Sequence, residues 1–139
     1  MSAALKQRAR IARVRRLQHG IAASSAAEAA GQLRSLEVSR ARLAQIRSEL
    51  NAEEGMTNGA FLSAAGELAM RLDHAGRGLA TSIDAARDQA AAREQLRVVA
   101  RKSQESAEKL ETKALRAAVE AAEQRMSRIA LRRGRKGTM

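Results

Sequence analysis

The chain has 139 residues, 45% of them hydrophobic, and a formal net charge of +11. Of its 62 hydrophobic residues 32 are alanine, and it has one phenylalanine and no tyrosine or tryptophan. Alanine favours helix but buries little area, so this composition excludes a thick globular core. The chain has no cysteine, which excludes disulfides and cysteine nucleophiles, and no proline to force any segment out of a helix.

The positive charge is concentrated at the two ends of the chain. Residues 1–20 and residues 125–139 each carry six cations and no acid, and the part between carries 14 bases and 15 acids. Such basic ends attract anionic partners, which include nucleic acid, acidic lipid and acidic protein surfaces. The arginines that we expect to contact partners are Arg8, Arg10, Arg13, Arg15, Arg16, Arg125, Arg128, Arg132 and Arg133.

The first predicted element is a helix over about residues 4–50. Large apolar residues recur in it at steps of three and four, over residues 11–21 and again over 33–50. An alanine-rich section flanked by Gly20 and Gly31 separates the two sets. We expect this section to be thin and slightly flexible; close approach of another helix is the alternative.

Residues 51–59 predict a turn, because two glycines and two asparagines fall within nine residues. Thr57 or Asn58 is expected to cap the helix that follows. A turn between two amphipathic helices predicts an antiparallel helical hairpin.

The second predicted helix covers about residues 60–133, ends at Gly134 and precedes a basic tail at residues 134–139. Folded about the turn, the first helix is expected to cover the second only to about residue 105, so that some 25–30 residues overhang. The fold class is therefore all-α, a single domain forming an elongated antiparallel two-helix coiled-coil hairpin with a longer, overhanging second helix. The expected seam of the second helix is Leu68, Leu72, Ala75, Leu79, Ile83, Ala86, Leu96, Val99, Ser103, Leu110, Ala114, Ala117 and Ala121.

The sequence contains no arrangement typical of catalysis. It has no Gly-x-x-x-x-Gly-Lys loop, no histidine pair at metal-binding spacing and no nucleophile beside a plausible base. His19 and His74 are single and distant in sequence. A two-helix hairpin also offers no concave, water-excluded pocket. We therefore expect no enzymatic activity, no cofactor, no metal and no small-molecule substrate.

Three segments carry a family resemblance that spans nearly the whole chain. They are Arg13-Val-Arg-Arg-Leu-Gln18, the turn Glu54-Gly-Met-Thr-Asn-Gly59, and Glu123-Gln-Arg-Met-Ser-Arg-Ile-Ala130 before the basic tail. With the length and the two unequal helices, they resemble the FliJ family of flagellar type III export proteins and its counterparts in injectisome secretion systems.

This resemblance implies a cytoplasmic stalk of the bacterial flagellar export apparatus, peripheral to the inner face of the cell membrane. Such a stalk engages the export ATPase hexamer, the membrane export gate protein and export chaperones, in flagellum assembly and motility. In the family, gate contacts lie near the turn on both helices. This chain departs from the family there by having one aromatic residue only. The matching positions are Leu43, Ile46, Leu50, Phe61, Leu68 and Leu72.

Three other functions stay open. A nucleic-acid-binding, nucleoid-associated coiled coil would use the twelve terminal cations on phosphates, although no aromatic cluster is present to stack on bases. Peripheral membrane binding through the first helix would use the same charges on anionic lipid. Against it, Arg10 falls inside the apolar stripe, between Leu17 and Ile21. A generic coiled-coil adaptor, whose charges only solvate it, is the third.

Overall fold

In the computed structural model the chain is all-α over the residues that it describes, 2–52 and 59–137, the side chain of residue 52 excepted. Two helices, α1 (Ala3–Ala52) and α2 (Gly59–Gly137), contain nearly all of these residues and pack against each other. The predicted all-α helical hairpin is confirmed. Residues 51, 52 and 59 of the predicted turn are helical, and the remainder, with the capping residues Thr57 and Asn58, lies outside the described residues.

The helix ends follow from local chemistry. Ser2 caps α1, because its Oγ accepts a hydrogen bond of 3.2 Å from the backbone N–H of Leu5, the third helical residue. α2 continues through Gly134 to Gly137, so the predicted end at Gly134 is wrong. Glycine disfavours helix by only about 1 kcal/mol relative to alanine. Arg135 and Lys136 in the last turn interact favourably with the helix dipole.

The chain divides into two compact units. Unit 1 combines α1 up to Ala22 with α2 from Leu96 onward, and unit 2 comprises the described residues of Ala23–Gln95. Each unit therefore contains a piece of both helices, with its own seam between them.

In unit 2 the helices run antiparallel with a displaced register. If the chain folded symmetrically about residue 55, Arg47 would lie opposite residue 63, yet it contacts Asp73. Three contacts give the pairing, and as the α1 residue advances the α2 residue recedes. They join Ser25 O to Arg93 Nη1 (3.4 Å), Glu37 Oε1 to Arg87 Nη2 (3.7 Å) and Arg47 Nε to Asp73 Oδ1 (3.3 Å).

Aliphatic side chains fill the seam of unit 2. Ile83 is 1% exposed, and Ala26 and Ala29 are also buried. Six leucines in the same seam are partly buried, and within each helix they follow one another at steps of three or seven residues, as a helix–helix seam requires. They are Leu33, Leu36, Leu43, Leu50, Leu72 and Leu79.

In unit 1 the same kind of displacement extends the pairing beyond the predicted limit. Arg16 would lie opposite residue 94 in a symmetrical fold, but its Nε is 2.9 Å from Oε1 of Glu108. Ala107 is buried and Ala118 is half-buried, whereas every residue from 119 to 137 is exposed. The prediction that coverage stops near residue 105 is therefore wrong, and the exposed end of α2 is shorter than expected.

The predicted α2 seam is correct in only part of its length. Leu72, Leu79, Ile83, Ala86, Ser103 and Ala114 are buried or half-buried, but Leu68, Ala75, Leu96, Val99, Leu110, Ala117 and Ala121 are exposed. In unit 1 the helices meet instead along a neighbouring face of small and polar side chains. Small residues let two helix backbones approach closely, which large aliphatic side chains at the same positions would prevent. That face is Arg97, Ala100, Gln104, Ala107, Glu111, Ala114 and Ala118.

Candidate protein-binding surfaces

The seam of unit 1 is thin and partly polar. Leu5, Ala12 and Ala107 are its buried apolar residues. Two polar atoms, Nε2 of His19 and Oε2 of Glu111, are buried without a hydrogen-bond partner. A buried polar atom that makes no hydrogen bond costs about 1–3 kcal/mol. The seam therefore contributes little stability of its own.

A short ion-pair network follows one edge of this seam. Glu108 Oε1 accepts hydrogen bonds from Nε2 of Gln104 at 3.1 Å and from Nε of Arg16 at 2.9 Å. These bonds, first from Gln104 and then from Arg16, hold the pKa of Glu108 below its ordinary value. Arg16 also approaches Oε2 of Glu111 at 3.8 Å, which is too long for a hydrogen bond. Of the arginines predicted to bind partners, Arg16 thus already forms an ion pair within the unit.

The nine predicted arginines are all exposed and all belong to unit 1. Arg15 donates to the side chain of Gln18 at 3.0 Å, and Arg125 donates to the backbone carbonyl of Ala121 at 3.4 Å. Both acceptors are uncharged and nearby on the same helix. These guanidinium groups keep their charge available to an anionic partner.

The last part of α2 carries an exposed apolar row, which we call the C-terminal stripe. It comprises Leu115, Val119, Met126 and Ile129, with Ala122 completing the alternation of four- and three-residue steps. All of them are exposed, Met126 to 68%. A helix normally buries such a row against a partner. Arg116, Arg125 and Arg132 flank the row, together with Glu123.

The residues that the resemblance implies for export-gate contact divide into two groups, all of them in unit 2. Leu43, Leu50 and Leu72 are partly buried in the seam. The other three, Ile46, Phe61 and Leu68, are exposed, to between 38% and 45%. The second group presents the larger exposed apolar surface to a partner.

The described residues contain no group of three or more potential metal ligands from histidine, cysteine, aspartate and glutamate. His19 lies half-buried in unit 1 and His74 is exposed in unit 2, so the structure does not bring the two histidines into one unit. Within the same described part, neither helix has a stretch long and apolar enough to cross a membrane.

The C-terminal stripe was not predicted from the sequence. The predicted seam runs through Ala114, Ala117 and Ala121, and no role was assigned to the large residues beside them. The regular steps from Leu115 to Ile129 were the available signal. A second row on the same helix is easily overlooked once one row has been assigned to the seam.

The surfaces described above are the structural evidence for the function of this chain. The resemblance to the FliJ family rests on the three quoted segments and on the two-helix organisation. Neither a protein-family model, nor a curated protein, nor a solved structure matches this chain.

Proposed function

We propose that this protein is a non-enzymatic protein-binding component of a bacterial type III export apparatus, as its resemblance to the FliJ family implies. In this role it engages the export ATPase hexamer, the membrane export gate protein and export chaperones. It acts in the cytoplasm, at the inner face of the cell membrane, in flagellum assembly and motility.

The observation that supports this proposal is the C-terminal stripe. Residues 119–137 form a helix with every side chain exposed, and large apolar groups recur along one face of it. Exposed apolar rows at heptad spacing are typical of helices that pair with another helix. The flanking arginines favour a partner that is acidic at the adjoining positions.

The test is ATP hydrolysis by the cognate export ATPase with and without the purified chain. We expect the chain to stimulate hydrolysis and to co-purify with the ATPase. Met126→Asp combined with Ile129→Asp should abolish both effects, because it places two charges in the stripe. Leu131→Asp is the matched control: this residue is 71% exposed and lies on the opposite face of the same segment. Absence of stimulation and of co-purification by the unaltered chain contradicts the proposal.

Nucleic-acid binding is a second candidate, and the exposure of all nine predicted arginines favours it. Cations of this kind release counterions from phosphates, so binding should fall steeply with salt. A titration with duplex DNA at about 0.15 M salt separates the two functions. Tight binding that increases with DNA length supports this second function and argues against the export role.

A further inference from the structure

The two edges of the seam in unit 1 differ in charge. On one edge Arg16 lies between Glu108 and Glu111, so cation and carboxylates neutralise each other. Along the other edge an open groove runs between α1 and α2, which we call the side groove. Three cations line it, and none of the described residues that line it is acidic. The cations are Arg8 and Arg15 of α1 and Lys102 of α2.

The side groove also offers apolar surface. Ile11 of α1 and Val99 and Leu110 of α2 line it, and Val99 and Leu110 are exposed. Leu96, 64% exposed, extends the same row on α2. Leu96, Val99 and Leu110 were predicted to lie in the seam of α2, but in unit 1 they lie outside the seam and are exposed.

The row has the spacing of a helix-binding face. Positions 96, 99, 103, 106 and 110 alternate in steps of three and four, and the row extends over about 21 Å of α2. Ser103 and Ser106 occupy the middle of the row. Their short side chains leave room between the larger apolar groups for the side chains of another helix. A helix docks in such a groove through apolar residues at i, i+3, i+4 and i+7.

We propose that the side groove binds an amphipathic helix of another protein, one whose apolar face is flanked by acidic residues. The apolar row supplies the contact area, and the cations Arg8, Arg15 and Lys102 select carboxylates on both sides of it. This places a third helix against α1 and α2 within unit 1.

A second copy of this chain fits the groove poorly. The other exposed apolar rows of unit 1 are themselves flanked by arginine. Val14, Leu17 and Ile21 on the outer face of α1 lie beside Arg10 and Arg13. Docking that row would place arginine against the cations of the groove, and like charges brought together at an interface oppose binding. The C-terminal stripe, beside Arg116, Arg125 and Arg132, meets the same obstacle.

The test uses fluorescein-labelled peptides of about 21 residues, three heptads long, and follows their anisotropy as the full chain is added. One peptide has leucine at a and d and glutamate at e and g. The other has lysine in place of every glutamate. We expect the glutamate peptide to bind, more weakly as salt rises, and the lysine peptide not to bind. Equal binding of the two peptides, or no binding of the glutamate peptide, overturns the proposal.

Variants locate the binding on the chain. Val99→Asp and Lys102→Glu should each weaken binding by about tenfold or more, and both positions are exposed enough to accept the change. Leu17→Asp and Lys6→Glu are the matched controls at exposed positions of α1 that do not line the groove, and should leave binding unchanged. Circular dichroism verifies that all four variants keep their helix content.

Three further outcomes decide whether the groove is the binding site and what occupies it. Groove variants that bind like the unaltered chain would overturn the proposal, as would controls that lose as much affinity. Sedimentation that shows a dimer of the chain, dissociated by Val99→Asp, would assign the groove to a second copy instead. Binding of the glutamate peptide to the side groove is independent of the export function, because no ATPase takes part in these measurements.

Discussion

Units 1 and 2 use the same two helices in different ways. In unit 2 seven large aliphatic residues lie in the seam: Ile83 is almost fully enclosed and six leucines are partly buried, whereas others such as Ile46 and Leu68 are exposed. In unit 1 the seam consists mainly of alanines and polar side chains, and Leu5 is its one large aliphatic residue that is buried among the described residues. Most other large aliphatic residues there, such as Leu96, Val99 and Leu110, are exposed.

The position of the large aliphatic residues shows which unit holds its two helices together by apolar burial and which unit offers apolar surface to other molecules. Burial of large aliphatic groups stabilises a helix pair by about 25 cal/mol for each Å² removed from water. Unit 2 uses Ile83 and six of its leucines in this way. Unit 1 instead keeps most of its large aliphatic residues at the surface beside cations, where a partner can bury them. In unit 1 small residues lie between the helices. This placement accounts both for the thin seam and for the exposed apolar surface that a partner can bind.

The largest expected effect is that of Ile83→Ala in unit 2. Removal of an enclosed isoleucine side chain should destabilise the chain by about 2–4 kcal/mol. Urea unfolding followed by circular dichroism measures the change. Leu96→Ala is the matched control from unit 1: its side chain is mostly exposed, so we expect about 0.5 kcal/mol or less. Equal losses of stability for the two variants would contradict the difference in aliphatic burial between units 1 and 2.

The next effect is that of overfilling the seam of unit 1. Ala12 is 0% exposed, so Ala12→Leu should force the helices apart and destabilise the chain by about 1–3 kcal/mol. Ala4→Leu makes the same change at an exposed position of the same helix and should be nearly neutral. If the two variants are equally stable in urea unfolding, close approach of the two helices does not depend on a small residue at position 12.

The sequence was sufficient to predict both helices, because nothing in it breaks a helix except the cluster at residues 51–59. It was not sufficient to predict which face of α2 forms the seam. α2 carries two neighbouring rows in unit 1. One is apolar and includes Leu96, Val99 and Leu110, and the other consists of small and polar residues and includes Arg97, Ala100 and Ala107. Both have helix–helix spacing, and only the opposing side chains of α1 decide between them.

The register between α1 and α2 could not be predicted from the sequence either. A symmetrical fold about the turn was the simplest assumption, but Arg47 contacts Asp73 and Arg16 contacts Glu108. Of the candidate sites, the basic ends could be read from charge alone. The side groove could not, since it exists only because the larger residues of α2 lie beside the seam and not within it.

A gain in stability is expected from His19→Leu in unit 1. Nε2 of His19 is buried without a hydrogen-bond partner, and leucine removes this atom while adding apolar contact. We expect stabilisation of about 1 kcal/mol, measured by thermal unfolding. His74→Leu, at an exposed position in unit 2, should give no gain. A loss of stability for His19→Leu would indicate that the seam of unit 1 depends on its polar character.

The smallest expected effect is the pH dependence of the ion-pair edge of unit 1. Hydrogen bonds from Gln104 and Arg16 lower the pKa of Glu108 from its ordinary value of 4.5. A carboxyl group whose pKa is lower in the folded state stabilises that state above the unfolded value, and the contribution is lost as pH falls through the folded value. Glu108→Gln should therefore lower the melting temperature at neutral pH, and the difference from the unaltered chain should shrink below about pH 4.5.

Glu105→Gln is the control for that measurement, since the ion pair of Glu105 with Arg101 lies along α2 and does not join the helices. We expect its melting temperature to stay closer to that of the unaltered chain at neutral pH, because exposed pairs within one helix contribute little. If Glu108→Gln shows the same difference at pH 3 as at pH 7, Glu108 acts by packing and not by charge. Unit 1 would then lack the charge pairing of Arg16 with Glu108, and the longer contact of Arg16 with Glu111 and the thin seam would join its helices.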